Sequence, residues 1–351
     1  MLKVAINGFG RIGRVAFRVW LARPDLQQNL DLVALNTSGS MPASGWAHLL
    51  RYDTAYGPLK NKISSKDTKD PKEASDADPL IGQITVDGKS FPVLAQRDPA
   101  KIPWSDYGVH LVIEATGVFR TEDSAGAHLT AGAKKVLITA PPKGGNIGTY
   151  VLGANVYQGE HAVADNASCT TNCVAPIAAI IHSKFGIKKA ALTTIHGYTD
   201  DQKLQDGSHK DWRRARAAAA NIVPTSTGAA KATAKTIPEL EGLFDGVAMR
   251  VPVITGSMSD LTFLVGKQTT IEEINQALIE ATTKPFWQGI VATTTDPLVS
   301  ADVIGRPESA IVDLSLTQVI AGDLVKIFAW YDNEWGYCNR LMEQAIQVGS
   351  Q

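Results

Sequence analysis

The sequence predicts an α/β protein of two domains, a doubly wound parallel sheet followed by an α+β domain with a mixed sheet. Three observations carry that prediction. Short apolar runs alternate with helical stretches up to about residue 141, as parallel sheets with crossover helices require. A glycine cluster, Gly8-Phe9-Gly10-Arg11-Ile12-Gly13, separates the first run from the first helical stretch. The second half changes to longer β-rich runs around a helical stretch near 271 to 282.

In chain order, residues 3 to 7 (KVAIN) read as a strand that stops at the glycine cluster, and an Arg-rich amphipathic stretch then runs as far as Pro24. Apolar runs at 31 to 36, 110 to 116 and 135 to 141 read as further strands, the last two joined by a helix over EDSAGAHLTAGA. Between about 58 and 80 the text is rich in Lys, Asp and Ser with no apolar period, which predicts an exposed insertion. Beyond it, AALTTIHGY, GVAMRVPVI, LTFLV, AIVDL and LVKIFAWYD read as strands, residues 271 to 282 as a helix, and NRLMEQAIQV as a final helix. The expected division is a first domain over 1–167, completed by the C-terminal helix within 333–351, and a second over 168–332.

Composition narrows the class. Thirty-four Lys and Arg balance 35 Asp and Glu in 351 residues, a formal charge of -1, so no global field marks the chain for nucleic acid or membrane. No apolar run approaches the roughly 20 residues of a membrane span, and the N-terminus lacks the order of a signal peptide, which predicts a cytoplasmic protein. Three cysteines, Cys169, Cys173 and Cys338, cannot form an even disulfide framework and read as thiols in a reducing compartment.

The glycine cluster has the strand-turn-helix context of a dinucleotide fingerprint: Gly8, Gly10 and Gly13 admit close backbone approach, and the helix start offers unpaired N–H groups to a pyrophosphate. In ASCTTNCVAP, Cys169 stands at a predicted helix N-terminus, a position that favours thiolate, while Cys173, one turn on, reads as structural. Two cysteines without a further Cys or His do not complete a metal site, so no metal is expected. His196 ends a β-like run 27 residues after Cys169, where an imidazole partner for a thiolate is needed. Arg214, Arg250, Thr199, Thr227 and Gly228 lie in cationic, hydroxyl-rich segments suited to phosphate oxygens.

Taken together, NGFGRIGR, ASCTTNC, TTIHGYT, RRARAAA, PTSTGAAKA, AMRVP and WYDNEWGY resemble phosphorylating glyceraldehyde-3-phosphate dehydrogenase, in order and spacing, over nearly the whole chain. The resemblance implies a Rossmann domain plus a catalytic domain, assembled as a homotetramer that requires neither membrane nor nucleic acid. It implies oxidation of glyceraldehyde 3-phosphate to 1,3-bisphosphoglycerate with inorganic phosphate, Cys169 as nucleophile and His196 as base. Thr199, Asp201 and Arg250 match the site of the substrate's phosphate; Ser168, Thr170, Thr227, Gly228 and Arg214 match that of the attacking phosphate. Asn7, Arg11, Ile12, Arg97, Thr116, Gly117, Thr139, Asn333 and Tyr337 match cofactor-contacting positions.

Departures from the usual pattern are the insertion, the segment VPVITGSMSDL, and the cofactor-specificity positions. The second strand ends LNTSGS, so Thr37 stands where an NAD enzyme carries an acid that repels a 2'-phosphate. Hydroxyls of Thr37 and Ser38 could donate to that phosphate, and Gly207 and Ser208 replace a bulky residue and proline found in NAD-specific relatives. The expected cofactors are therefore NADP and/or NAD. An erythrose-4-phosphate dehydrogenase is the alternative enzyme, and a non-enzymatic nucleotide-binding or redox-sensing protein the alternative class.

Overall fold

The structure, a computed structural model, describes residues 1–351. It divides into two compact units, one of Met1–Tyr150, Tyr157–Asn166 and Leu341–Gln351, the other of Val151–Val156 and Ala167–Arg340.

In the first unit, β1 (Leu2–Asn7) has Val4, Ala5 and Ile6 fully buried, the pattern of a strand covered on both faces. The helix α1 (Arg11–Ala22) buries Val15, Phe17 and Val19, and Pro24 opens a separate short helix, α2 (Pro24–Asn29). Then come β2 (Leu30–Asn36), α3 (Ala43–Arg51), β3 (Ile63–Asp67), β4 (Leu80–Val86), β5 (Lys89–Leu94), β6 (Leu111–Glu114), α4 (Glu122–Thr130), β7 (Lys135–Ile138), β8 (Gly148–Thr149) and β9 (Val163–Asp165). The sheet order is β3-β4-β5-β2-β1-β6-β7-β9-β8. It is parallel from β5 through β8, with winding that reverses at β1, between β2 and β6. Ligand sites of open parallel sheets lie at the carboxyl ends of the strands at such a reversal, and Asn7, Gly8, Asn36 and Glu114 are there.

The insertion is exposed, as its composition predicts, and also carries regular structure. Its β3 pairs antiparallel with β4 as a sheet edge, and Pro71–Glu73 forms a helical turn. Only Ile63 of β3 is buried, which is why no apolar period is visible, and the Ser, Lys and Asp beside it make a poor template for further pairing. The β4–β5 hairpin turns at Asp87 and Gly88, both with positive φ (49° and 88°), the geometry of a tight two-residue turn.

The second unit contains α5 (Cys169–Phe185), β10 (Ile187–Gly197), β11 (Val223–Ser226), α6 (Ala229–Thr236), β12 (Phe244–Val251), β13 (Ser257–Val265), α7 (Ile271–Thr282), β14 (Val291–Thr294), β15 (Ala310–Asp313), β16 (Gln318–Ile320), β17 (Leu324–Tyr331) and the start of α8 (Trp335–Gly349). Its sheet runs β11-β12-β10-β13-β17-β15-β14, with β16 also on β17. It is mixed: β10/β12 and β14/β15 are parallel and the other pairs antiparallel. Burial alternates residue by residue along β13, so Leu261, Phe263 and Val265 join Ile177 and Ile181 of α5 and Ile274 and Leu278 of α7 in one core. The residues of α8 within the first unit are held there by the Arg23–Glu343 ion pair and by Gly349 against Leu2.

A Cβ on Gly13 would stand 2.2 Å from the Gly8 carbonyl oxygen, whereas one on Gly10 would meet nothing within 4 Å. Gly13→Ala should therefore lower the unfolding free energy by about 1–3 kcal/mol, the usual scale of overpacking, and Gly10→Ala by much less. Urea titration of both variants tests the contrast, and equal losses would contradict it.

Candidate active site

The chemistry of the second unit converges where α5 begins and β10 ends. Ser168 caps α5, its hydroxyl accepting from Thr171 N–H at 3.1 Å, so Cys169 is the first helical residue. Its backbone N–H makes no bond to another residue, as expected of a first-turn donor. Ala167, just before the cap, is held at φ +52°, a strained setting for a residue with a Cβ, and the Tyr337 hydroxyl donates to its carbonyl at 3.4 Å.

Parallel pairing of β10 with β12 sets His196 opposite Arg250. His196 Nε2 lies 3.2 Å from Cys169 Sγ, and its Nδ1 lies 2.6 Å from the Gly197 carbonyl oxygen. In the tautomer that donates Nδ1–H to that carbonyl, Nε2 faces the sulfur as a base. Arg250 Nη1 donates to the same carbonyl at 3.2 Å, 2.6 Å from Nδ1, and Arg250 forms no ion pair with a carboxylate. The half-buried, uncompensated guanidinium is suited to an anion brought by a ligand. Beneath the pair, the buried Tyr331 hydroxyl lies 3.0 Å from Thr170 Oγ1 and 2.8 Å from Thr194 Oγ1.

Desolvation and the helix start act on this pair in opposite directions. Burial pushes the Cys169 thiol up, against the pull of Arg250 and of hydrogen bonds from Thr170. Burial, with Arg250 second, holds His196 down to about 3. Both shifts favour the neutral forms, so desolvation works against the thiolate that the helix start favours. Cys173, fully buried, is pushed up to about 12, first by burial and further by Cys169, against a hydrogen bond with Ser259, and is inert.

The remaining anion-site candidates fall into two groups. The Thr199 hydroxyl makes no bond within the chain, and Gly228 precedes α6 without a side-chain cap. Thr227 Oγ1 accepts from Ala229 N–H at that helix start. By contrast, Arg214 and Asp201, matched to different phosphate sites, are ion-paired at 2.5 Å, with Arg214 Nε also donating to Thr225. The Asp201 carboxylate, an acceptor only, is thereby turned to Arg214.

In the first unit, Gly8 has φ +95° and a Cβ there would lie 2.7 Å from Thr116 N, so the loop closes only with glycine. Gly10 precedes α1 without a side-chain cap, and with open space before it the first-turn N–H groups fit a pyrophosphate. Ile12 is half-buried in that turn, and the Arg11 guanidinium is engaged by Asp53. Asn7, Thr116 and Thr139 surround Glu114: Asn7 Nδ2 donates to its carboxylate at 2.5 Å, Thr116 N–H at 2.9 Å, and Thr139 N–H to its backbone carbonyl at 3.0 Å. Sequence reasoning missed Glu114 and its partner His128, both buried, with Trp104 Nε1 donating to His128 Nδ1 so that Nε2–H points at the carboxylate. A lone acid inside an apolar run was the available signal. Gly117 follows with φ +71°.

The specificity positions are also corrected. Thr37 is buried, its hydroxyl donating to the Leu94 carbonyl at 3.0 Å, and is not offered to a ligand. Ser38 is exposed beside Ser40, and Arg97 Nε donates to the Ser38 carbonyl at 3.2 Å, which brings a guanidinium to this loop. Ser208 is exposed and makes no bond within the chain, and Asn333 is buried with its Oδ1 engaged by Thr255 and Ser257.

Iodoacetamide should alkylate Cys169 and spare Cys173. Its rate should climb between about pH 7 and about pH 9, since a raised thiol gains about tenfold in thiolate per pH unit below its pKa. A rate flat over that interval would mean the ion pair already exists in the free chain.

No helix is long and apolar enough to cross a membrane. Residues 2–122 match the glyceraldehyde 3-phosphate dehydrogenase NAD binding domain, and residues 168–333 match the C-terminal domain of the same family. Glyceraldehyde-3-phosphate dehydrogenase 2 of Synechocystis sp. is 50% identical over 348 residues, 98% of either chain. Glyceraldehyde-3-phosphate dehydrogenase of Streptomyces coelicolor is 48% identical over 354 residues, 100% of this chain and 99% of the relative. The chloroplastic glyceraldehyde-3-phosphate dehydrogenase B of Pisum sativum is 47% identical over 353 residues, 99% of this chain and 74% of the relative. With a nucleotide-binding unit, a cysteine–histidine pair and these matches, the chain belongs to the glyceraldehyde-3-phosphate dehydrogenase family of NAD(P)-dependent oxidoreductases.

Proposed function

We propose that Cys169 is the nucleophile and His196 the acid–base in oxidation of D-glyceraldehyde 3-phosphate to 1,3-bisphosphoglycerate. The observation that carries this is the 3.2 Å contact of Sγ with Nε2 beside Arg250, a guanidinium without a carboxylate partner. Sγ bonds to the aldehyde carbon as its proton passes through Nε2 to the former carbonyl oxygen, giving a thiohemiacetal. The Cys169 N–H is the donor available to that oxygen while it carries charge. Bound NAD(P) supplies the hydride acceptor, held by the glycine loop with Asn7, Arg11, Ile12, Thr116, Gly117, Thr139, Asn333 and Tyr337. His196 takes the hydroxyl proton as the carbon becomes a thioester. Inorganic phosphate attacks the thioester carbon, the bond to Sγ breaks, the sulfur is re-protonated through Nε2, and one proton leaves per turnover. Arg250 and Thr199 hold the substrate's phosphate; Thr170, Thr227 and Gly228, with Arg214 beside them, receive the attacking phosphate. Ser168 and Asp201 support these residues, through the α5 cap and the ion pair to Arg214.

A homotetramer and a cytoplasmic setting belong to the same reading. They are supported by the exposed apolar side chains of Leu204, Trp212, Ile222 and Val247 and by three free cysteines.

Steady-state rates with glyceraldehyde 3-phosphate and erythrose 4-phosphate, with each cofactor, with and without phosphate, test the reaction. The first substrate should need phosphate for sustained turnover, whereas faster phosphate-independent turnover of the second would favour the alternative enzyme. Cys169→Ser should abolish oxidation and keep dinucleotide affinity, Cys173→Ser should keep measurable activity, and His196→Asn should slow acylation about 100-fold or more. Equal loss in both cysteine variants would reverse the assignment.

We also propose that both cofactors are used, NADP at least as well as NAD, with Ser38 and Arg97 at the 2'-phosphate. Thr37→Asp, the change suggested by sequence, would bury a carboxylate against the Leu94 carbonyl, so Arg97→Ala is the discriminating variant. It should cut kcat/KM for NADP about tenfold, worth about 1.4 kcal/mol, and spare NAD. An unchanged ratio, or a hundredfold wild-type preference for NAD, would refute this.

A further inference from the structure

The segment Val253-Ile254-Thr255-Gly256-Ser257, one of the departures from the family's usual wording, has no part in the mechanism above. It forms the turn into β13. Gly256 has φ +90°, and a Cβ there would stand 2.1 Å from the Ser300 carbonyl oxygen, so the turn closes only with glycine. The residues flanking it, Thr255 and Ser257, are 2% and 1% exposed, and both hydroxyls end on one atom, Asn333 Oδ1. Ser257 Oγ donates to it at 2.8 Å; Thr255 Oγ1 lies 3.1 Å from it and 2.9 Å from Asp332 Oδ1.

Ser257 decides the orientation of that amide. Its oxygen accepts from Gly197 N–H at 3.2 Å, a group that can only donate, so the hydroxyl proton is directed at Asn333. The atom it meets must be the amide oxygen. Nδ2, with its two N–H donors, is left on the other side and makes no bond within the chain. Gly197 is also the residue whose carbonyl accepts from His196 Nδ1. One buried hydroxyl therefore ties the Asn333 amide to the backbone that orients the base, and the part of a dinucleotide that must lie near that base is the nicotinamide.

We propose that Ser257 is a positioning residue for the cofactor: it fixes the Asn333 amide so that Nδ2–H is offered to the oxygen of the nicotinamide carboxamide. This rests on reading Asn333 as a cofactor contact. Thr255 has a single proton, for which the Asp332 carboxylate competes at the shorter distance, so the orientation rests on Ser257; Asp332, accepting from Glu334 and Trp335 N–H at 2.9 Å each, fixes the backbone at the start of α8.

Calorimetric titration of the full chain with NAD, NADP and ADP-ribose, which lacks the nicotinamide, tests the proposal. Ser257→Ala should weaken both dinucleotides about three- to tenfold, the scale of one hydrogen bond, and leave ADP-ribose unchanged. Asn333→Asp keeps the acceptor that Ser257 needs and replaces the donor with a carboxylate oxygen, adding a charge beside Asp332; it should show at least the same selective loss, and the double variant no further loss. Where Ser257→Ala does not fold, Ser257→Cys, with a weaker donor of similar shape, should give an intermediate selective loss. If Asn333→Asp loses dinucleotide affinity and the Ser257 variants do not, Ser257 does not act through the amide and the proposal fails. Equal losses for ADP-ribose in the Ser257 variants would show a merely structural role. Unchanged dinucleotide affinity in Asn333→Asp would overturn the reading of Asn333 itself, and the proposal with it.

Discussion

The parallel register of β10 on β12 is the constraint on which the second unit's chemistry depends. It places His196 opposite Arg250 at the strand ends, and β-strand side chains alternate faces, so a slip of one residue would turn the imidazole away from the sulfur. The register is fixed well below the site. Leu192 of β10 is buried with Leu261 and Phe263 of β13 in the core under α5 and α7, and the same apolar packing seats the helix whose first residue is Cys169. The 3.2 Å contact is thus specified by hydrophobic residues that never meet a ligand.

Burial at that contact has opposing effects. It removes water from the thiol and imidazole, which disfavours charge on both, and Arg250 adds repulsion against an imidazolium. A neutral pair is a poor nucleophile at rest but a good proton relay, because Nε2 is unprotonated and aligned. A ligand phosphate on Arg250 would oppose the charge that depresses His196, so binding and proton acceptance are coupled through one guanidinium.

The first unit shows the same logic with polar groups. At the reversal of sheet winding, Asn7, Asn36, Gln96, Glu114 and His128 are buried yet bonded to one another, with Asn36 Nδ2 donating to Asn7 Oδ1 at 2.7 Å and Gln96 N–H to Asn36 Oδ1 at 3.0 Å. A satisfied polar interior is costly to rearrange, so the loop at Gly8 and the turn at Thr116 are held in one geometry.

Local signals were enough to read the doubly wound sheet, the mixed sheet, the glycine loop and the pairing of Cys169 with His196, because each lies in a short segment whose period, turn chemistry or residue type expresses its environment. The edge strand at Ile63–Asp67 was not legible, since four of its five side chains face solvent and carry no apolar alternation. Nor were the roles of Thr37, Asp201, Glu114 and Ser257. Each depends on which distant backbone or side chain lies within about 3 Å, and a hydroxyl or carboxylate looks the same in sequence whether it faces a ligand or is already bonded. The sequence offers the Thr37 hydroxyl to a phosphate, but β5 brings the Leu94 carbonyl beside it and the hydroxyl donates there. The sequence by itself determined which chemical groups the chain carries and on which elements. Tertiary packing alone decided which remain free to act, because hydrogen bonds and desolvation depend on neighbours far away in the chain.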